Sequence, residues 1–368
     1  MHILLLPNSL KGSLSARQTA RVLCQALQKK HTVRAVALSD GGDGFIDFFS
    51  TLYPSARKVY LSAQNAFGKS VRTSYLWIPK QKTAVLETAQ ICGLGQAKKE
   101  ELNPLGASSF GVGQVLLHAL KKGAKKIYIG LGGVACNDGG AGIVQALGAL
   151  FLDKHNRALR PGAKPLLQLR SVEFSALRPL LRGVQIYAVA DVINPMLGPQ
   201  GSARVYGPQK GATPAQVRTL EKALCAYARV LKRVTGKDIG HTPSTGAAGA
   251  LCASLYALCG AKIILGADFL RTHLPLATWA KRADLIITCE GKLDHQTLFG
   301  KAPLAVLQVA KAQHKPVLFI CGQWEGKVLQ KLPRGTQLKL ICLSDFAADT
   351  ADSINHAGRY LRRAVQTL

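Results

Sequence analysis

Both ends of this chain read as β-α-β, and that constrains its fold more than any other feature. At the N-terminus, His2 to Leu6 is an apolar strand and Asn8 to Ser13 a glycine-containing loop. Ser15 to Lys29 then reads as a helix with Ser15 as N-cap, and Val33 to Leu38 as a second strand. Strands joined through a helix in this way pair in parallel by a right-handed crossover. The C-terminal end repeats the logic. It has strands at Asp284 to Thr288, Pro316 to Cys321 and Leu338 to Leu343, a helix at Ala302 to Gln313, and a closing helix from about Ser353. The two ends are predicted to be halves of one doubly wound parallel sheet of the α/β class.

The middle has a different texture. Ser70 to Ile78 and Thr83 to Thr88 flank a Pro79-Lys80-Gln81 turn and predict a hairpin. A helix at Gly111 to Lys122 leads to a strand at Lys126 to Leu131. After Gly140 come a helix, a short hairpin around Lys154 to Asn156, a strand at Gln185 to Ala190 and a helix from Thr213 or Pro214 to Val234. The expected division is an α/β domain of residues 1–65 plus 284–368, interrupted by an inserted α/β domain of residues 66–283.

At 368 residues the chain has room for one large or two ordinary domains with well-buried cores. Its nine cysteines are scattered singly with no C-x-x-C pair, which fits reduced thiols and a cytoplasmic setting. The N-terminal apolar run stops at Pro7, too short for a signal-peptide core. Gly246 to Ala261, the longest uncharged apolar stretch, falls short of a membrane span and predicts a buried helix. No membrane partner is expected.

Lys and Arg number 48 against 20 Asp and Glu, a formal net charge of +28, so the field favours anions. Acids are scarce, and where the remaining ones fall is informative. Asp40 and Asp43 follow one strand in Leu38-Ser-Asp-Gly-Gly-Asp-Gly44, and Asp138 follows another in Gly132-Gly-Val-Ala-Cys-Asn-Asp-Gly-Gly140. Asp191 ends the strand Tyr187-Ala-Val-Ala-Asp, while Glu290 and Asp294 follow Leu285-Ile-Ile-Thr-Cys. In open α/β sheets ligands bind beyond the carboxyl ends of the strands. Adjacent glycines let backbone N–H groups approach phosphate oxygens, and carboxylates at such a site would hold Mg²⁺.

Lysines sit in the same small-residue loops: Lys11, Lys210, Lys292 and Lys301. Other chemistries find no support. Gly68-Lys69-Ser70 resembles the end of a P-loop, but Ala63 stands where the first glycine belongs, so it reads as a turn. Gly111-Val-Gly113 lacks the third glycine of a dinucleotide fingerprint, and no H-E-x-x-H or G-x-S-x-G pattern is present.

Taken together, the loops resemble those of the glycerate kinase family of the bacterial two-domain type. The matching segments are Pro7-Asn-Ser-Leu-Lys-Gly-Ser-Leu-Ser-Ala16, Ser39-Asp-Gly-Gly-Asp-Gly44, Gly132 to Gly142, Asp191-Val-Ile-Asn-Pro-Met-Leu-Gly-Pro199, Gly207-Pro-Gln-Lys-Gly-Ala212, Gly246-Ala-Ala-Gly249 and Glu290 to Pro303. They run in order across nearly the whole chain. The resemblance implies an ATP-dependent kinase of D-glycerate with a Rossmann-like domain made from both chain ends and an inserted α/β domain closing a cleft over the active site. Transfer to O2, giving 2-phosphoglycerate, is implied for most members, and transfer to O3 stays open.

The resemblance also supplies roles. Lys11, Lys210 and Lys301 would neutralise phosphate or the glycerate carboxylate, and Asp191 and Glu290 would hold Mg²⁺ or take the hydroxyl proton. Asp40, Asn137, Asp138 and Asp294 would position ligands, with Asn8, Ser9, Gly41, Gly42 and Gly139 completing the binding loops. Family members usually carry Asp where this chain has Asn8, and also where it has Ile193. An alternative is a catalytically weakened relative that binds nucleotides or nucleic acid through its basic surface. The bases are spread along the chain and aromatics are 6% of it, which disfavours a specific nucleic-acid partner. The oligomeric state stays open.

Overall fold

The computed structural model describes residues 1–294, 297, 301–326, 328, 335 and 337–368, with Lys99 described by its backbone alone. Its strands are β1 His2–Pro7, β2 Thr32–Ala35, β3 Arg57–Gln64, β4 Ser70–Ile78, β5 Thr83–Glu87, β6 Lys126–Leu131, β7 Leu150–Leu152, β8 Ser171–Glu173, β9 Gln185–Ala190, β10 Lys262–Leu265, β11 Leu285–Leu293, β12 Val317–Trp324 and β13 Leu338–Cys342. The chain divides into two compact units, residues 1–51 with 265–368, and residues 52–264.

In the first unit five strands form a sheet in the order β13-β12-β11-β1-β2, every neighbouring pair parallel. Strands from both chain ends therefore share one sheet, as the two β-α-β ends predict. Buried on both faces, β1 is apolar at every position from Ile3 to Leu6. Ile3 and Leu5 pack with Leu23 and Leu27 of the helix Ala16–Leu27 and with Tyr360 and Leu361 of the helix Ala357–Ala364. Leu4 and Leu6 point the other way and are equally buried, and the helices Leu276–Arg282 and Ala302–Ala312 lie against β1 and β11. Ser15 caps the first helix as expected, accepting from the Gln18 amide while the Gln18 side chain returns the bond.

The second unit holds a mixed sheet in the order β10-β9-β6-β5-β4-β3. β3, β4 and β5 are antiparallel neighbours, while β5, β6 and β9 run parallel. The β4–β5 hairpin turns on a single 3₁₀ turn at Pro79–Gln81, and Gly68, with φ +79°, closes the β3–β4 turn where the false P-loop lies. The longest helix, Pro214–Thr235, begins at a Thr213–Gln216 capping box and ends at left-handed Gly236. Its buried face carries Leu220, Leu224, Tyr227 and Leu231.

Three features differ from the sequence expectation. The units meet in sequence at residues 51/52 and 264/265, not at 65/66 and 283/284. Arg57–Gln64 is a strand paired along its whole length with β4, so it belongs to the second unit. The helix Gly266–His273 belongs to the first, because Phe269 packs 5.3 Å from Phe45 and 5.6 Å from Phe49. Finally, the apolar stretch from Gly246 forms the expected buried helix, Ala247–Leu258, but that helix is broken near its start. Within Ala247–Leu258, three consecutive residues, Ala248, Gly249 and Ala250, are left-handed, with φ of 53°, 69° and 64°. Among the described residues no helix is long and apolar enough to cross a membrane.

Candidate active site

In the first unit the parallel register sets the site. Pro7, the last residue of β1, stands opposite Cys289, so Asn8 leaves the sheet beside Glu290; contrary to expectation Glu290 does not follow its strand but lies within β11, which runs on to Leu293. Asn8 is nearly buried, and its Nδ2 donates to Asp40 Oδ2 at 3.4 Å while its Oδ1 accepts from the Ser9 amide. Asp40 Oδ2 also accepts from the Ala302 amide at 3.1 Å, where the N-terminus of the helix Ala302–Ala312 favours negative charge. Gly41, with φ +106°, turns the chain after Asp40, and Ser39 Oγ holds the loop through the Gly42 and Asp43 carbonyls. A side chain at Gly266 would collide with Asp40 Cβ, at 2.3 Å.

Glu290 is 5% exposed. One of its oxygens accepts from Thr297 Oγ1 at 2.8 Å and the other faces Lys301 Nζ at 3.2 Å. Burial pushes its carboxyl up to about 7, with Lys301 pulling the other way. Asp294 belongs to the turn that presents Thr297, its amide donating to the Thr297 hydroxyl. Lys11 is exposed, but its backbone lies against Gly291, where an added Cβ would come within 2.7 Å of the Lys11 nitrogen. The rest of the loop after Asp294, namely 295, 296 and 298–300, lies outside the described residues.

The second unit builds a different cluster at the carboxyl ends of β6 and β9. Lys210, 3% exposed, donates from Nζ to the Cys136 carbonyl at 2.7 Å and to Asn137 Oδ1 at 2.6 Å. Both acceptors are neutral, and burial lowers the ammonium's pKa to about 8. Asn137 is fully buried, and its Nδ2 has no hydrogen-bond partner among the described residues. The left-handed run closes over them: a Cβ on Gly249 would lie 2.0 Å from the Cys136 carbonyl oxygen and 2.8 Å from Lys210 Nζ. Only glycine fits there.

Asp138 plays another part. Its fully buried carboxylate accepts from the Ser109 amide and hydroxyl, the Ser108 hydroxyl and the Gly140 and Gly142 amides. It ties the starts of two helices, Phe110–Lys121 and Ala141–Ala146, and so fixes the loop that carries Asn137. Gly139, left-handed at φ +66°, donates its amide to the Gly249 carbonyl. Desolvation raises the pKa of the half-buried Tyr206, and Asp191, half-buried just past β9, raises it further; the Tyr206 hydroxyl donates to Asn194 Oδ1 at 2.8 Å.

Lysines, carboxylates and glycine-lined backbone, found in each unit, suit a phosphoryl-transfer enzyme, which needs positioning and charge neutralisation rather than a covalent nucleophile. The glycerate kinase family model matches residues 3–368. The chain belongs to the glycerate kinase family. It is a kinase. Similar members include the glycerate 2-kinase of Escherichia coli K12, 37% identical over 325 residues, covering 88% of this chain and 85% of that protein. The glycerate kinase of Bacillus subtilis 168 is 32% identical over 371 residues, covering 100% of this chain and 97% of its own. A crystal structure assigned as glycerate kinase 2 from Salmonella typhimurium LT2 superposes with a TM-score of 0.80 at 33% identity, covering 100% of this chain and 96% of that one.

Sequence reasoning missed several of this family member's site residues. Ser108 and Ser109 look like ordinary residues before a helix, yet they hold Asp138. Asn194 and Thr297 lie within matching segments that assigned them no role, and Tyr206 stands just before another. Gly249 was quoted within a matching segment, but its close approach to Lys210 has no counterpart in spacing.

Proposed function

We propose that this kinase transfers the γ-phosphoryl group of ATP to O2 of D-glycerate, giving 2-phosphoglycerate and ADP. The observation that carries the reading is the buried Lys210 ammonium. A charge taken out of water needs a counter-charge, and here its hydrogen-bond partners are two neutral oxygens, with the buried Asp138 carboxylate acting on it only through space. Beside it the Asn137 amide has a donor to spare. An anionic group with two acceptor oxygens, the glycerate carboxylate or a phosphate, satisfies both. The E. coli relative's name, glycerate 2-kinase, favours O2.

In this reading the glycerate hydroxyl oxygen bonds to Pγ as the bond from Pγ to the β,γ-bridging oxygen breaks, and ADP leaves with the electron pair. Glu290 takes the hydroxyl proton, its carboxyl held near neutrality by burial. Lys11 and Lys301 neutralise phosphate charge. Asp40 and Asn8, with Ser9, Gly41 and Gly42, shape the loop edge, and Asp138, Gly139 and Asp294 position their neighbours.

Mg²⁺ usually takes one or two carboxylates and fills its other positions with phosphate oxygens and water. Among the described residues no three of His, Cys, Asp or Glu converge on a metal site, which suits an ion that arrives with ATP. Of Asp191 and Glu290, we assign Asp191 to hold it, because both Glu290 oxygens already accept bonds. The ion would offset phosphate charge. Incubation with Mg-ATP and D-glycerate, with the product identified by NMR, tests the reading: 2-phosphoglycerate is expected. Exclusive 3-phosphoglycerate overturns the regiochemistry, and absence of any phosphoglycerate overturns the substrate.

A further inference from the structure

A pocket of about 610 Å³ opens on the second unit. Its lining includes Ala226, Arg229, Val230 and Arg233 from the last turns of the helix Pro214–Thr235. It shares no lining residue with the Lys210 cluster. The volume lies within the range that holds small ligands.

The lining is strongly one-signed. Lys154, Arg157, Arg170, Arg229 and Arg233 face it together with His155, against a single acid, Asp153. That acid is spoken for: it pairs with Arg157 at 2.9 Å and accepts the backbone amides of His155 and Arg157, which hold its carboxyl down at about 2. Lys154, Arg170, Arg229 and Arg233 have no carboxylate partner among the described residues. A helix C-terminus favours cations, and that accounts for Arg233, which also donates to the Arg170 carbonyl. It accounts for none of the other three. Four like charges around one hollow repel one another and call for an anion.

We propose that this pocket is a second anion site, built for a compact small molecule bearing two or more phosphoryl groups. Beside the charged groups and His155 its lining is Leu167, Gln168, Leu169, Ala226 and Val230, with no Phe, Tyr or Trp among them. Nucleobases bound along a basic groove usually stack on aromatics, so the lining favours a short phosphorylated ligand over a nucleic acid.

The test uses the whole protein in about 150 mM KCl, where exposed charges are screened beyond about 8 Å. Inorganic tripolyphosphate is titrated calorimetrically with the active site saturated by glycerate and a non-hydrolysable ATP analogue. A saturable site is expected, weakened tenfold or more in the double variant Arg170→Glu and Arg229→Glu. Kinase turnover without tripolyphosphate should be unchanged, which separates failure here from failure of the proposed reaction. If the double variant does not fold, Lys154→Ala with Arg229→Gln should weaken binding threefold or more. Binding untouched by either variant overturns the proposal. So does a single-stranded oligonucleotide that binds more tightly than tripolyphosphate and loses that binding in the variants, since the surface would then be a nucleic-acid interface.

Discussion

Each unit holds a lysine in a crowded polar cluster, Lys301 half-buried and Lys210 buried, and the two meet the same electrostatic problem in opposite ways. Lys301 meets a carboxylate, Glu290, 3.2 Å away, and burial is expressed as a raised carboxyl pKa. Lys210 meets a carbonyl and an amide oxygen, and burial is expressed as a lowered ammonium pKa. An ion pair is complete without a ligand, whereas a cation among neutral acceptors is complete only with one. The comparison separates a group that can exchange a proton from a group that waits for an anion.

The largest expected effect breaks the second solution. Lys210→Met should lower kcat/KM on the order of 10³, about 4 kcal/mol, mostly through KM for one substrate, while thermal unfolding is unchanged or raised. A fall in Tm with near-normal KM would make Lys210 a structural cation. In the wild type the same cation is lost as pH rises through about 8, so that KM should climb above this pH.

The next breaks the first solution. Glu290→Gln should lower kcat on the order of 10² and erase the rise in kcat with pH through about 7 that an essential ionised carboxylate produces. Stability has the opposite sign. A carboxyl raised in the folded state favours folding while it is protonated, so that wild-type stability falls as pH rises from about 4.5 to about 7 and then levels off. Urea titrations of the Gln variant should lack that slope.

Gly249→Ala sharpens the comparison without touching charge. Its neighbours Ala248 and Ala250 already carry a Cβ at positive φ, so the clash with the Cys136 carbonyl is what it tests. Activity should fall about tenfold with a stability loss on the order of 2 kcal/mol, read by kinetics and denaturation. Normal activity would show that the left-handed run does not shape the Lys210 cluster.

The smallest effect concerns the position where the family usually has Asp. Asn8 donates to Asp40, so Asn8→Asp sets a carboxylate against a buried carboxylate. Stability should drop by about 1 kcal/mol at pH 8 and recover near pH 4 or on adding Mg²⁺. No dependence on pH or metal would mean that Asn8 is only a strand-end cap.

Sequence alone determined the two parallel β-α-β ends, the β4–β5 hairpin and the placing of Asp40, Asp138 and Asp191 in loops past strand ends. Those follow from period, capping and turn chemistry, which act between near neighbours. Thus Ser15, Thr213 and Pro79 do in three dimensions what their local context predicts. Tertiary structure decided the rest. Arg57–Gln64 became a strand because β4 offered it an edge, and Ala248–Ala250 turned left-handed where the chain passes over Cys136 and Lys210. Asp138 reads like its fellow acids in sequence, yet three donors from the distant Ser108–Ser109 segment and two from its own loop enclose it. Whether a lysine meets a carboxylate or a carbonyl depends on which strand end lies across from it, and burial converts that choice into a pKa. Spacing along a chain carries no record of either.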